Sequence, residues 1–315
     1  MFTVWSVYLV LQIFRGSPAE GMYRMNSSLV TGAQDRPKAP ESCTVGWIGL
    51  GDQGLPFVRR LLSKDVDTVV WARRKASLEP LHGTAARTAA SPADLAVQCD
   101  HIGICVTADS DVIEVALDSG LLGAARPGTT LAVHSTVRPT TCEYLNEMAI
   151  ARDVAILDAP VTRNGASQYG SEFTLLVGGD LKAVGRARPV FGLYADHVIH
   201  LGELGSGQRM KVINNALAVG NLRLIYDALS VGIGIGLDEA AIIDTLRYSS
   251  GGSVMVDLVK FYRPSPRADY VHLLKKDINL FEAVTTSVGP GAAPTLSAAA
   301  RSMITELTAA LDSAG

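Results

Sequence analysis

Cysteine is scarce in this chain and scattered where it occurs. The four cysteines, Cys43, Cys99, Cys105 and Cys142, are too few for a disulfide framework, and none has zinc-ligand spacing. They read as small buried hydrophobes in a reducing compartment, so a cytoplasmic location is expected. The six histidines are dispersed as well. His197 and His200 stand three apart but lack a carboxylate or cysteine cluster beside them, so no metal site is expected. An excess of either charge is also missing. A net charge of −3 without a basic stripe argues against a nucleic-acid partner. The strongly apolar run Met1 to Phe14 is too short to span a bilayer, and no basic residue precedes it. Residues 15–41 then turn polar and rich in Pro, Gly and Ser. We expect residues 1–41 to be a non-core extension, the fold to begin near Ser42, and no membrane partner. The extension is either a weak signal peptide or a stretch upstream of a true start at Met22 or Met25.

What is present is more specific. With 315 residues the chain has room for two domains. A short apolar run (Val45, Trp47, Ile48) leads into Gly49-Leu50-Gly51-Asp52-Gln53-Gly54, and an amphipathic segment, Leu55 to Leu62, follows. Strand, turn and helix in that order form a dinucleotide fingerprint. The first glycine permits the turn, the second lets backbone approach a pyrophosphate, and the third lets helix pack on strand. The helix N-terminus then offers N–H groups to the anion.

Further strands are expected at Thr68 to Trp71, Asp100 to Val106, Thr130 to Val133, Ala155 to Leu157 and Thr174 to Val177, with helical stretches between several of them. That alternation predicts an α/β fold with a mostly parallel, doubly wound sheet. Ligands of such sheets sit beyond the strand carboxyl ends, which draws Val106 and Thr107 into the candidate cofactor site. After the second strand an NAD enzyme would place an acid on the ribose 2′-hydroxyl. This chain has Ala72-Arg73-Arg74-Lys75. Two guanidiniums suit a 2′-phosphate, so NADP is expected over NAD, although NAD stays possible and a plain solvated basic turn is the alternative. From Gly207 onward the chain reads as helical. Met210 to Val231 carries apolar residues at helical spacing, and Gly232-x-Gly234-x-Gly236 closes that helix.

The order of motifs from Gly49 to about residue 300 resembles the β-hydroxyacid dehydrogenase family. The Gly-rich turn and Arg73 match its cofactor segments, and Ser135-Thr136 matches its Ser-Thr pair. Ala159-Pro160-Val161-Thr162-Arg163-Asn164, followed by Gly165-Ala166 and Val177-Gly178-Gly179, is similar to its substrate segment. Gly205-x-Gly207-x-x-x-Lys211-x-x-x-Asn215 matches its catalytic signature, and Lys276-Asp277 its C-terminal Lys-Asp pair. The resemblance implies a Rossmann-like NADP-binding domain over 42–206 and an all-helical substrate and dimerisation domain over 207–315. It implies a homodimer or homotetramer acting on a small carboxylate substrate, with Lys211 and Asn215 catalytic. Lys276 and Thr136 would approach the cofactor, and Ser135, Thr162, Arg163, Asn164 and Asn215 the substrate.

The residue types suit that chemistry. Lys211 and Asn215 are four apart and share a helix face. An ammonium can protonate the alkoxide that forms as hydride reaches a carbonyl carbon, and the neutral amine can take the hydroxyl proton in reverse. Ser135 and Thr136 could equally cap the helix beginning near Pro139, and Asp277 could orient Lys276 or cap a helix. Arg163 and Asn164 depart from the family's small residues, and Asp227 stands where many members carry Glu. Imine reductases share the architecture but usually carry Asp or Tyr at the position of Lys211. A non-catalytic NADP-binding homologue would have lost that lysine.

Overall fold

The computed structural model describes residues 30–31, 43–164, 172–262, 266–289 and 291–314. Its centre is a 10-stranded sheet. The strands are β1 (Val30–Thr31), β2 (Val45–Ile48), β3 (Thr68–Trp71), β4 (Arg87–Thr88), β5 (His101–Ile104), β6 (Thr130–Val133), β7 (Ala155–Asp158), β8 (Val161–Asn164), β9 (Glu172–Gly178) and β10 (His197–Gly202). The order across the sheet is β1-β10-β9-β7-β6-β5-β2-β3-β4, with β8 paired to β9. From β4 to β7 every pairing is parallel. Beyond β7 the pattern changes, because β9 runs antiparallel to both β7 and β8.

Strand β2 is buried along its whole length and has β3 on one side and β5 on the other. The chain therefore winds outward from β2 in both directions. The topological switch point, where a parallel sheet opens a crevice for ligand, falls at the carboxyl end of β2. Helix α1 (Gly54–Leu62) leaves that point and buries Phe57, Val58 and Leu61 on the sheet. One sheet face packs under α1 and a helix over Leu181–Tyr194, around Trp47, Phe57, Phe191 and Tyr194. The other is covered by shorter helices and by α2 (Pro139–Ala149), around Ile102, Leu121, Leu131 and Leu145.

A third core lies in the helical half. It is built on α3 (Ser206–Gly234), which packs against α4 (Ala268–Val288) and α5 (Pro294–Ala314). The long helix exceeds the expected Met210 to Val231 at both ends, and Leu237 N–H to Gly232 C=O with Gly236 N–H to Ile233 C=O closes it.

Val30 and Thr31, from the stretch expected to lie outside the core, pair antiparallel with Ile199 and Val198 at the sheet edge. An exposed edge accepts any extended segment with free amide groups, so composition alone does not reveal such a strand. The apolar run 1–14 and Ser42 lie outside the described residues.

Candidate active site

The Gly-rich turn has the shape a pyrophosphate requires. Gly49 sits at φ +97°, and a Cβ there would lie 2.0 Å from the Cys105 carbonyl oxygen. A Cβ on Gly54 would lie 1.9 Å from the Gly49 oxygen, so helix and strand close tightly. Gly51 faces open space, with nothing within 4 Å of its Cβ position. Leu50 is buried beneath the turn, and Asp52 and Gln53 are exposed on it. No side chain caps α1, and no acid occupies its first turn, so its positive end is left to an anion. These residues fit a bound dinucleotide.

The loops after β5 and β6 join this turn. Val106 N–H donates to Ser135 Oγ at 2.8 Å, which ties the two loops together. From the helical half, Lys276 Nζ donates to the carbonyl oxygens of Thr107 (3.1 Å) and Thr136 (2.7 Å). Lys276 thus fastens α4 to both loops. The capping alternatives are corrected here. Arg138, not Ser135 or Thr136, is the N-cap of α2, and Asp277 lies inside α4.

Lys211 and Asn215 lie one turn apart on α3, and Lys211 is only 8% exposed. Asn215 Nδ2 donates to Asp277 Oδ2 at 2.6 Å, and Asp277 Oδ1 is 3.4 Å from Lys276 Nζ. A polar chain therefore runs from Asn215 through Asp277 and Lys276 to the two loops. Thr162 joins this group through Asn214, whose Nδ2 donates to Thr162 Oγ1 at 3.3 Å. Arg163 and Asn164 continue β8, paired with Phe173 and Glu172. Their side chains, with Gly165 and Ala166, lie outside the described residues.

The start of α3 explains its glycines. Gly205 adopts φ +89°, and a Cβ on Gly207 would sit 2.0 Å from the Leu176 carbonyl oxygen on β9. Asp158, fully buried at the end of β7, accepts from Gly205 N–H and Gln208 N–H, both at 2.7 Å. Burial pushes its carboxyl above the ordinary range, and the two amide bonds pull it back. Gln208, also fully buried, donates to the Ser135 carbonyl (2.8 Å) and accepts from Val137 N–H (3.1 Å). Sequence reasoning missed Asp158 and Gln208. The available signal was position: Asp158 directly precedes Ala159-Pro160, and Gln208 lies inside the glycine–lysine signature.

Two family models divide the chain. The NAD-binding domain of 6-phosphogluconate dehydrogenase matches residues 44–202, and the NAD-binding domain of NADP-dependent 3-hydroxyisobutyrate dehydrogenase matches 205–314. The chain belongs to the β-hydroxyacid dehydrogenase family. It is an NAD(P)-dependent dehydrogenase that acts on a CH–OH group. An uncharacterized oxidoreductase of Mycobacterium tuberculosis is 35% identical over 73% of this chain and 79% of its own length. NAD-dependent L-serine dehydrogenase of Pseudomonas aeruginosa is 31% identical over 70% and 74%. A solved structure of Psf3 in complex with NADP+ and 2-OPP superposes with a TM-score of 0.74 at 25% identity, covering 84% of this chain and 94% of that one.

In this dehydrogenase the basic turn after β3 already has partners. Arg73 Nη1 lies 3.2 Å from Glu114 Oε2, and its Nη2 lies 3.6 Å from Asp111 Oδ1. Arg74 is exposed next to it.

Proposed function

We propose that the protein is an NADP-dependent oxidoreductase that interconverts a small β-hydroxyacid and its semialdehyde or ketoacid, with Lys211 as general acid and base. One observation carries this reading above the others. Lys276 ties the helical half, which holds Lys211, Asn215 and Asp277, to the loops at the carboxyl ends of β5 and β6. That link supports a proton donor, an amide and an ammonium acting together on the side of the sheet where the switch point opens.

The nicotinamide, when bound, supplies or accepts the hydride. The work of the chain is to bind, orient and move a proton. The Lys211 ammonium protonates the carbonyl oxygen as it gains charge, and the neutral amine withdraws the hydroxyl proton in the oxidative direction. Asn215 has its amide nitrogen turned to Asp277, and its remaining hydrogen-bonding capacity serves the same oxygen or the lysine. Thr162, held by Asn214, supports a role in seating the substrate, together with Ser135 and the Arg163–Asn164 stretch. Arg163 suits a two-pronged bond to a substrate carboxylate. Arg73 and Arg74 favour the 2′-phosphate of NADP over the free hydroxyl of NAD.

We further read the working form as a homodimer in the cytoplasm, with no membrane or nucleic-acid partner. Met210, Ile213, Leu217, Leu224 and Val231 are exposed along α3. A second copy laid on that stripe would bury it. The same helix is long and apolar enough to cross a membrane, but 44% of its most apolar window is buried inside the fold.

The test is a panel of small hydroxyacids and semialdehydes with NADPH or NADP+, followed by the absorbance of reduced cofactor. Turnover of at least one β-hydroxyacid, faster with NADP+ than with NAD+, is expected. Tight NADPH binding without turnover of any member would transfer the chain to the imine-reducing or non-catalytic members of the fold.

A further inference from the structure

We infer that Glu114, with Asp111 behind it, is a counter-ion that the 2′-phosphate must displace from Arg73, and that Glu114 thereby sets the ratio of NADP to NAD binding. The proposal rests on the NADP reading above and adds to it a residue that opposes that preference. Arg73 stands on the turn after β3, and Asp111 and Glu114 stand on the helical segment after β5. Strands β3 and β5 are the two neighbours of β2, so the ion pair reaches across the carboxyl end of β2, beside the Gly-rich turn. At the usual strand spacing, the ends it joins are about 10 Å apart, a gap that the adenosine half of a dinucleotide enters.

The two carboxylates differ in how firmly they are placed. Asp111 also accepts from Ala108 N–H at 3.1 Å, and its side chain is 23% exposed. Glu114 is 52% exposed and holds Arg73 at the shorter distance, with no second side-chain ion pair among the described residues. Asp111 therefore serves the helix start, whereas Glu114 serves Arg73. A phosphate dianion arriving at Arg73 meets a guanidinium already paired, and it meets the negative charge of Glu114 as well. A free 2′-hydroxyl meets neither obstacle. Exposed ion pairs of this kind are weak, so the pair opens readily and changes affinity rather than forbidding binding.

Dissociation constants for NADP+ and NAD+ measured by isothermal titration calorimetry on wild type, Glu114→Gln, Arg73→Ala and the double variant test this directly. Glu114→Gln should tighten NADP+ about three- to tenfold, the sum of a released ion pair and a removed repulsion, and change NAD+ by less than about twofold. In the Arg73→Ala background most of that gain should disappear. An equal effect on both cofactors, or the same NADP+ gain without Arg73, overturns the proposal. A wild-type preference for NADP+ that Arg73→Ala abolishes but Glu114→Gln leaves untouched removes the proposal alone. Wild-type preference for NAD+ with NADP+ binding indifferent to Arg73 removes the cofactor reading and the proposal together.

Discussion

Lys211 is a buried lysine on the helix that also carries Gln208, Asn214 and Asn215, and removing it should separate chemistry from binding. Lys211→Ala should lower kcat by about 10²- to 10⁴-fold, the range for a positioned proton donor. The NADPH dissociation constant, read from cofactor fluorescence, should stay near that of the wild type. Near-normal turnover would refute the catalytic role. Asp277 is a second test at this scale, since it accepts from Asn215 at 2.6 Å and faces Lys276 at 3.4 Å. Asp277→Ala leaves a half-buried amide and a half-buried ammonium without their shared carboxylate. Losing the partner of a buried polar group costs about 1–3 kcal/mol. Steady-state kinetics should show kcat/KM falling at least about fivefold, and an unchanged value would show that Asn215 is held by other contacts.

The element that matters most is the first turn of α3. Asp158 holds it by two amide bonds, Gln208 links it to the loop after β6, and Gly207 lets it lie against β9. Asp158→Ala should destabilise the protein by about 2–4 kcal/mol, because two buried N–H groups lose their acceptor. It should cut turnover too, because Lys211 is one turn further along the same helix. Thermal unfolding followed by circular dichroism, with activity assayed in parallel, checks both effects. An unchanged melting temperature would show that the helix start does not depend on this carboxylate. Gly207→Val should fail more severely, since its Cβ would meet the Leu176 carbonyl oxygen at 2.0 Å. A β-strand backbone cannot retreat from such a contact without losing ladder bonds.

At the scale of the whole molecule, two buried histidines link stability to pH. The Ala159 carbonyl can only accept, so His134 Nδ1 carries its hydrogen (2.7 Å) and His134 Nε2 accepts from the Tyr194 hydroxyl (3.1 Å). That hydroxyl oxygen in turn accepts from His101 Nε2 at 3.3 Å. Both rings are thus held neutral. Burial pushes His101 down to about 3 and His134 down to about 4 from the ordinary value of 6.5. The unfolded chain therefore takes up protons that the folded chain refuses. Stability from this pair is complete above pH 6.5 and falls as the pH drops toward 4. Urea unfolding should show a lower midpoint at pH 5 than at pH 7.5, with the unfolding free energy smaller by on the order of 1–2 kcal/mol per histidine. A midpoint equal or higher at pH 5 would contradict it. At the same scale, light scattering after gel filtration should report a dimer. Leu217→Lys with Leu224→Glu should yield monomers if the α3 stripe is the interface.

Much of the fold and part of the candidate site are legible in the sequence. The Gly-rich turn, strands β2, β3, β5, β6, β7 and β9, and the long helix are local features whose period or turn chemistry is written in neighbouring residues. The family was legible for a related reason, since its motifs are short and their order survives divergence elsewhere. Strands β1, β4, β8 and β10 were not, because they lie at or next to the margins of the sheet and owe their form to the partner strand rather than to their own pattern. Nor could the sequence reveal that Arg73 is held by residues from another crossover, or that Asp158, Gln208 and Lys276 fasten one half of the molecule to the other. Those contacts join residues far apart along the chain: Lys276 and Thr107 are separated by 169 positions. Local pattern determined which helices and strands could form. Which polar groups became each other's partners was decided only when burial removed water and left every donor to find an acceptor within the fold.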